Sequence, residues 1–440
     1  VLHACDIREP SCQRSTAQVA ACLRGDAQSV PARDGTRSLP SIEVVDAEAY
    51  IASQVVEAER APDPDDRSRD TRRALALLRL SPARDDPGQI ARDRWQGVAA
   101  FFSHETEKIT ILDRGRKLDD GSAVVLLLHE LIHAAQHLDQ PDDSALPRSF
   151  DAQLAHSAIV EGEATLYHGL ARAEGLDFDP SELAWERAYG SFRESQWREA
   201  QTTSSPVALA WQQFSYAFGG DYLMRAWRRG GNAAVRAVFA EPPTSTREIM
   251  AGDRAKPGEQ PWVEQPSEVG QPVFPDGFDT LARWMLGRWI FEVFRAKWLG
   301  IVTPNPADRD SGFAGDVMSA FRVRETGEVG VAWRMRFATD AEAATTLDEL
   351  HRRHAAPLDE LQQQPVGPLD ELQQQSSFAW TQHERDLILV ASTAPDLATS
   401  LAAELTWEPI PVDPPAESSP YETLSYGPSS SPCPGARAAP

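Results

Sequence analysis

Residues 123–137 read AVVLLLHELIHAAQH. An unbroken apolar run from Val124 to Leu128, continued by Leu131, Ile132, Ala134 and Ala135, predicts a buried helix over Ala123 to His137. His129 and His133 lie inside it. Four helical steps turn the chain through about 400°, so the two imidazoles emerge within about 40° of each other and can reach one ion. Glu130 sits about 100° from His129 and about 60° from His133. From there it can approach a water on the open side of the ion without ligating it. Zinc held by three protein ligands brings the pKa of its water to about 7. A carboxylate placed as Glu130 is can take that proton while the water attacks a carbonyl, then pass it to the leaving amine. Two imidazoles with this spacing and an adjacent carboxylate, all on one helix, point to hydrolytic zinc chemistry.

A tetrahedral centre needs a third protein ligand, and no cysteine is placed to serve. A second long helix is expected from about Phe150 to Glu174, with DAQLAHSAIVEGEATL at 151–166. Its Glu161 and Glu163 are about 200° apart, so only one can reach the ion. Glu161 shares its face with Ser157, Ala158, Ala164, Thr165 and His168, mostly small or polar, as suits a wall around an ion and its water. Glu163 lies among Ile159, Val160, Leu166, Tyr167 and Leu170, where a carboxylate is costly unless paired. Both stay open as the third ligand, Glu161 being the better placed. Glu163 can instead orient a ligand histidine from behind. Gly162 removes a side chain, which would let the two helices approach closely.

Around these helices the pattern is α+β. Residues 1–40 are polar and read as a short Cys-containing lead-in. Ser41 to Val45 alternates like a strand, Ala47 to Arg60 is helical, and 61–70 reads as a solvated linker. A short helix follows at Arg73 to Leu80. Val98 to Phe102 and Lys108 to Asp113 form a hairpin through His104 to Glu107. Further helices are expected at 181–200, 206–229, 231–240 and Asp279 to Trp298. Residues 251–276 form a Pro/Gly-rich loop. After residue 312 the chain becomes a small α+β unit. It has a hairpin around Thr326-Gly327, a helix at 340–354 and strands near 377–382 and 386–392. The segment PLDELQQQ at 357–364 recurs at 368–375 and lengthens a loop. Residues 406–440 read as a Pro/Ser-rich disordered tail. The expected division is a lead-in at 1–40, a mainly helical catalytic domain at 41–305, a small α+β domain at 306–405, and the tail.

A chain of 440 residues has enough length to bury a large core. No apolar run approaches the length of a membrane-spanning helix. Its formal net charge of −23 and lack of a basic patch exclude nucleic acid as a partner. Cys5, Cys12 and Cys22 cluster near the beginning, without a Cys-x-x-Cys pair. Leu2-His3-Ala4-Cys5 resembles the end of a bacterial lipoprotein signal, which makes Cys5 a candidate lipid anchor and leaves Cys12 and Cys22 to pair. Export, to the periplasm or to a membrane surface, is the favoured location, with the cytoplasm as the alternative.

The quoted residues resemble a family. His-Glu-x-x-His followed by a helix with Glu-Gly-x-Ala is similar to the gluzincin metallopeptidases. HELIHAAQ at 129–136 and DAQLAHSAIVEGEATL at 151–166 resemble a set of bacterial exported metallopeptidases with HEL-x-HALQDQ and EG[DE]A. The likeness spans about residues 41–300 and is strongest at the two helices. It implies a zincin-like catalytic domain, a peptide or protein substrate, Zn2+ held by His129, His133 and Glu161, and Glu130 as general base. It also implies an oxyanion donor from a later helix, for which Tyr216 is the candidate and Tyr222 and His168 are alternates. The strand Lys108 to Asp113 would be the cleft edge that pairs with extended substrate. His137-Leu138 stands where the family has Asp-Gln, and Ala251-Gly252-Asp253 where it has His-Pro. Two other outcomes are a metal-binding or interaction protein without turnover, and a hydrolase of non-peptide amides.

Overall fold

The computed structural model describes residues 4–25, 39–60, 65–82, 86–115, 117–139, 149–175, 182–203, 205–252, 269–299, 312–354 and 376–408. Helix α1 (Pro10–Arg24) opens on a proline in its first turn and closes at Gly25, whose φ of 68° is the left-handed conformation glycine tolerates. Its buried stripe is Cys12, Thr16, Ala17, Ala20 and Ala21. These small side chains let α1 pack closely, yet they carry so little hydropathy that the segment reads as a polar lead-in. Residues 10–24 of the lead-in are therefore a packed helix. Cys5 is bonded to Cys12, not Cys12 to Cys22. Cys22 is itself disulfide-bonded. The Cys5 sulfur is thus engaged and cannot also carry a thioether-linked lipid, which removes the candidate anchor.

Strand β1 (Ser41–Asp46) leads into α2 (Ala47–Arg60), α3 (Asp66–Leu77) and α4 (Pro87–Gln96). Half of the expected linker at 61–70 is the start of α3, where the Asp65 carboxylate accepts the Ser68 N–H at 2.7 Å and caps the helix. The hairpin of β2 (Ala100–Ser103) and β3 (Lys108–Asp113) forms as expected. Its position in the sheet does not match the expectation. The order is β1-β3-β2, with β1 parallel and β2 antiparallel to β3. Lys108–Asp113 is therefore the central strand, with Ile109, Ile111 and Leu112 buried, and it has no free edge for a peptide. Burial on both faces explains its nearly continuous apolar sequence.

The helical core follows: α5 (Gly121–Asp139), α6 (Phe150–Gly175), α7 (Glu182–Thr202) and α8 (Pro206–Phe214). One π-helical turn, Ser215–Gly219, then runs straight into α9 (Gly220–Ala240), and α10 (Thr246–Ala251) comes next. The break expected at residue 230 is a kink: Gly230 and Gly231 leave helical geometry, Gly231 at φ 58°.

The remaining elements are β4 (Gln271–Val273), β5 (Phe278–Trp284), α11 (Gly287–Leu299), β6 (Phe313–Val323), β7 (Val329–Phe337), α12 (Asp340–His354), β8 (Ser377–His383), β9 (Asp386–Ser392), α13 (Leu397–Glu404) and β10 (Thr406–Glu408). The helix expected at Asp279 to Trp298 is in fact a strand followed by a helix. A register shift between Thr280 and Ala282 breaks the alternation that would have marked the strand. The antiparallel sheet has the order β5-β6-β7-β9-β8. Because β5 pairs with β6, a boundary at 305/306 would cut through this sheet. Trp289, Phe291 and Phe294 of α11 belong to the same buried core as Phe313, Trp333 and Phe337. The tail does not begin at 406 either, since Thr406–Glu408 pairs with β4. Residues 409–440 and both copies of PLDELQQQ lie outside the described residues. The fold class is α+β with a helical core, as expected.

A polar node joins core and sheet. Asp316 of β6 accepts the N–H groups of Leu286 (3.1 Å) and Gly287 (2.9 Å) and the Trp333 indole N–H (2.8 Å). Asp151 of α6 accepts from the Thr246 N–H (2.9 Å) and hydroxyl (2.6 Å) at the start of α10. Burial pushes Asp151 up to about 7, against those bonds and with help from Asp316; burial likewise pushes Asp316 up to about 6.

Candidate metal centre

Helix α5 is buried along most of its length, and its apolar side chains fix its rotation in the core. That rotation turns His129 and His133 towards α6. The two Nε2 atoms are 3.1 Å apart. Glu161 Oε2 is 3.3 Å from His129 Nε2 and 3.2 Å from His133 Nε2. Among the described residues this is the one group of three or more such side chains able to share an ion. Glu161 Oε2 is buried, and its contacts with the imidazoles are too poorly aligned to count as hydrogen bonds. Three Lewis-basic atoms so converge with little to hold them there but one another. Ligands at 2.0–2.1 Å in a tetrahedron stand about 3.3–3.4 Å apart, so the separations suit zinc.

The electrostatics express the same crowding. Burial disfavours a charged His133, but Glu161 outweighs it and raises the imidazole to about 9. Burial pushes Glu161 up, while His133 and His129 hold it well below the usual carboxylate range. Glu130 is nearly fully buried, and desolvation raises its carboxyl against the pull of both histidines and of the nearby Phe102 N–H. Glu130 thus faces β2. The strand beside Glu130 is therefore Ala100–Ser103, an edge of its sheet among the described residues, in the place expected for Lys108–Asp113.

Tyr216 sits in the π turn, its ring stacked on His129 with centroids 5.9 Å apart and its phenol near the Glu161 carboxylate. Burial and the two glutamates push that phenol upward, so it stays a donor at neutral pH. Gly162 puts it there. A Cβ on Gly162 would lie 2.5 Å from the carbonyl carbon of Gly219. The close approach that Gly162 permits is to the π turn, not to α5. Ser215 and Ser157 hydroxyls bond across the same contact at 3.1 Å. His168 meets His129 edge-on at 6.0 Å, and burial lowers it to about 4, keeping it neutral. Tyr222 is set apart, with Glu248 and Arg229 as its charged neighbours.

Sequence reasoning missed Gln136. His133 Nδ1 donates to Gln136 Oε1 at 2.8 Å, and Gln136 Nε2 donates to Val160 O (2.9 Å) and Glu163 Oε2 (2.8 Å). Its position three residues beyond His133 on one helix was the available signal. Glu163 is paired, as its apolar surroundings required: Arg24 Nε donates to it at 3.0 Å. A further imidazole contact joins His104 and His137, Nδ1 to Nδ1 at 3.2 Å.

No family model, curated protein or solved structure matches this chain. Among the described residues no helix is long and apolar enough to cross a membrane.

Proposed function

We propose that the chain is a zinc-dependent hydrolase of peptide bonds. The observation that carries this reading is the convergence of His129 Nε2, His133 Nε2 and Glu161 Oε2 within 3.1–3.3 Å, with the Glu130 carboxylate beside them. A structural site needs no buried base. Glu130, which carries the full cost of desolvation next to the triad, favours turnover over a silent metal site. Zinc bound there supplies a Lewis acid that acidifies water and polarises a carbonyl.

The chain's own residues do the rest. Glu130 takes a proton from the attacking water and delivers it to the leaving nitrogen; its upward shift brings it nearer the range where a base works at neutral pH. The Phe102 N–H beside it favours the charged form of the carboxylate. Tyr216, a neutral donor beside Glu161, stabilises the oxyanion on the attacked carbonyl. The edge of β2, unpaired among the described residues, offers an extended peptide backbone groups next to the base. The disulfide bonding of Cys5, Cys12 and Cys22 favours an oxidising compartment as its place of work.

The test is zinc stoichiometry together with cleavage of an unstructured protein, before and after treatment with a chelator and after zinc is restored. One zinc per chain with chelator-sensitive cleavage is expected. Absence of bound zinc, or cleavage indifferent to the chelator, refutes the reading.

A further inference from the structure

We propose that Arg24, at the end of the N-terminal helix, is a positioning residue for the metal ligand His133, acting through Glu163 and Gln136. The inference rests on the metal reading above and adds to it a device remote from the ion.

The contacts form one unbroken relay. Arg24 Nε donates to Glu163 Oε1 at 3.0 Å. Glu163 Oε2 accepts from Gln136 Nε2 at 2.8 Å, and Gln136 Oε1 accepts from His133 Nδ1 at 2.8 Å. The relay fixes a tautomer. Gln136 Nε2 faces two acceptors, Glu163 Oε2 and Val160 O, so the amide cannot be reversed without setting oxygen against oxygen. With Oε1 thus committed to His133, Nδ1 must carry hydrogen and Nε2 keeps its lone pair for the ion.

Arg24 also bridges the two helices that carry the centre. Its Nη2 donates to Asp139 at the end of α5 (2.9 Å), while Nε grips Glu163 on α6. A buried arginine–carboxylate pair adds little net stability, because desolvation offsets attraction. What the pair does supply is a fixed position for the Glu163 carboxylate. Arg24 is itself held from behind: Asn232 Nδ2 donates to Leu23 O at 2.7 Å, and Tyr167 of α6 donates to Asn232 Oδ1 at 3.0 Å. Gly25 completes the fit, since a Cβ there would lie 2.7 Å from the Asn232 amide. The disulfide from Cys12 to Cys5 anchors the other end of α1.

The experiment is a double-mutant cycle on zinc affinity, read by competition with a chromophoric chelator, with the apo melting temperature and the visible spectrum of the cobalt form recorded alongside. Arg24→Ala and Gln136→Ala should each weaken zinc binding roughly 10–100-fold and shift the cobalt bands. Together they should cost no more than the worse single change, because both break one relay. Effects that multiply, or a wild-type Kd in Arg24→Ala, would overturn the proposal. Should Arg24→Ala fail to fold because Glu163 is left charged and unpaired, Arg24→Met with Glu163→Gln removes both charges while keeping an acceptor for Gln136. Asp139 is not stranded by that change, since its side chain keeps 18% exposure. That folded variant should still bind zinc several-fold more weakly, and unchanged affinity would overturn the proposal. A wild-type protein that binds no zinc overturns the metal reading as well, whereas binding that ignores Arg24 overturns this inference alone.

Discussion

Gly162→Ala tests how Tyr216 is brought to the candidate centre. The new methyl would stand 2.5 Å from the carbonyl carbon and 2.6 Å from the carbonyl oxygen of Gly219. Carbon–carbon contacts settle at about 3.5 Å or more, so α6 and the π turn must separate by about 1 Å. Both obstacles are backbone, and no rotamer change relieves them. Overpacking of this kind costs about 1–3 kcal/mol. Tyr216 lies in the same five-residue turn as Gly219 and moves with it, whereas Glu161 stays on α6 with its rotation unchanged. A displacement near 1 Å at a reacting group costs on the order of 10²-fold in rate. The expected variant therefore keeps one zinc, unfolds at lower denaturant, and cleaves an unstructured protein about 10²-fold more slowly. Zinc stoichiometry, a denaturant titration and the cleavage rate measure these three quantities. A variant with an unshifted midpoint and the full rate would show that the backbone contact does not position Tyr216.

Glu130→Gln should keep zinc and fold, because it removes a charge and no ligand of the triad, while hydrolysis falls about 10²–10⁴-fold; equal rates would end the peptidase proposal. Asp151 is raised in the folded state to about 7 from 3.8, so its contribution is fully present below about pH 4 and is lost as pH climbs through about 7. Asp151→Asn, which keeps an acceptor for Thr246, should raise the melting temperature at pH 8 and leave it unchanged or lower at pH 4; a uniform shift at both would refute the assignment. Cys5→Ser should cost about 2–3 kcal/mol in a denaturant titration, from the loop closed across a separation of seven residues; an unchanged midpoint would place the stability of α1 in its packing alone.

The residues of the candidate centre were legible because a helix converts spacing into direction. His129, His133 and Glu130 could be placed from one quoted stretch, and the small-residue face of Glu161 distinguished it from Glu163. What stayed hidden depended on partners distant in sequence. Nothing around Arg24 announces a contact 139 positions away. Its helix buries alanines, a cysteine and a threonine, whose low hydropathy hides the packing. Lys108–Asp113 was recognisable as a strand, but whether a strand is central or an edge depends on its neighbours, here β1 and β2. In 278–284 a single irregular step erased the alternation, and the tryptophans that follow suggested one long helix. The two domains implied by the change of pattern near 306 share a sheet, because β5 precedes α11 in the chain while its pairing partner follows it.

The π turn at Ser215–Gly219 has a consequence for how this chain can change. A π turn holds one residue more than the α turn it replaces. Removing a single residue there would restore a plain helix and swing everything on one side through about 100° relative to the other. Tyr216 would leave His129, or Phe214 and Phe218 would leave Trp289, against which both now pack with centroids 5.2 and 5.1 Å away. The aim of the phenol is thus stored as a residue count rather than in the identity of neighbouring side chains. Substitutions that keep the length are open to selection one at a time, whereas a one-residue deletion costs either the aim or the core. In descendants of this sequence, an unbroken length between Phe214 and Gly220 would mark a retained Tyr216–His129 contact better than any single letter between them.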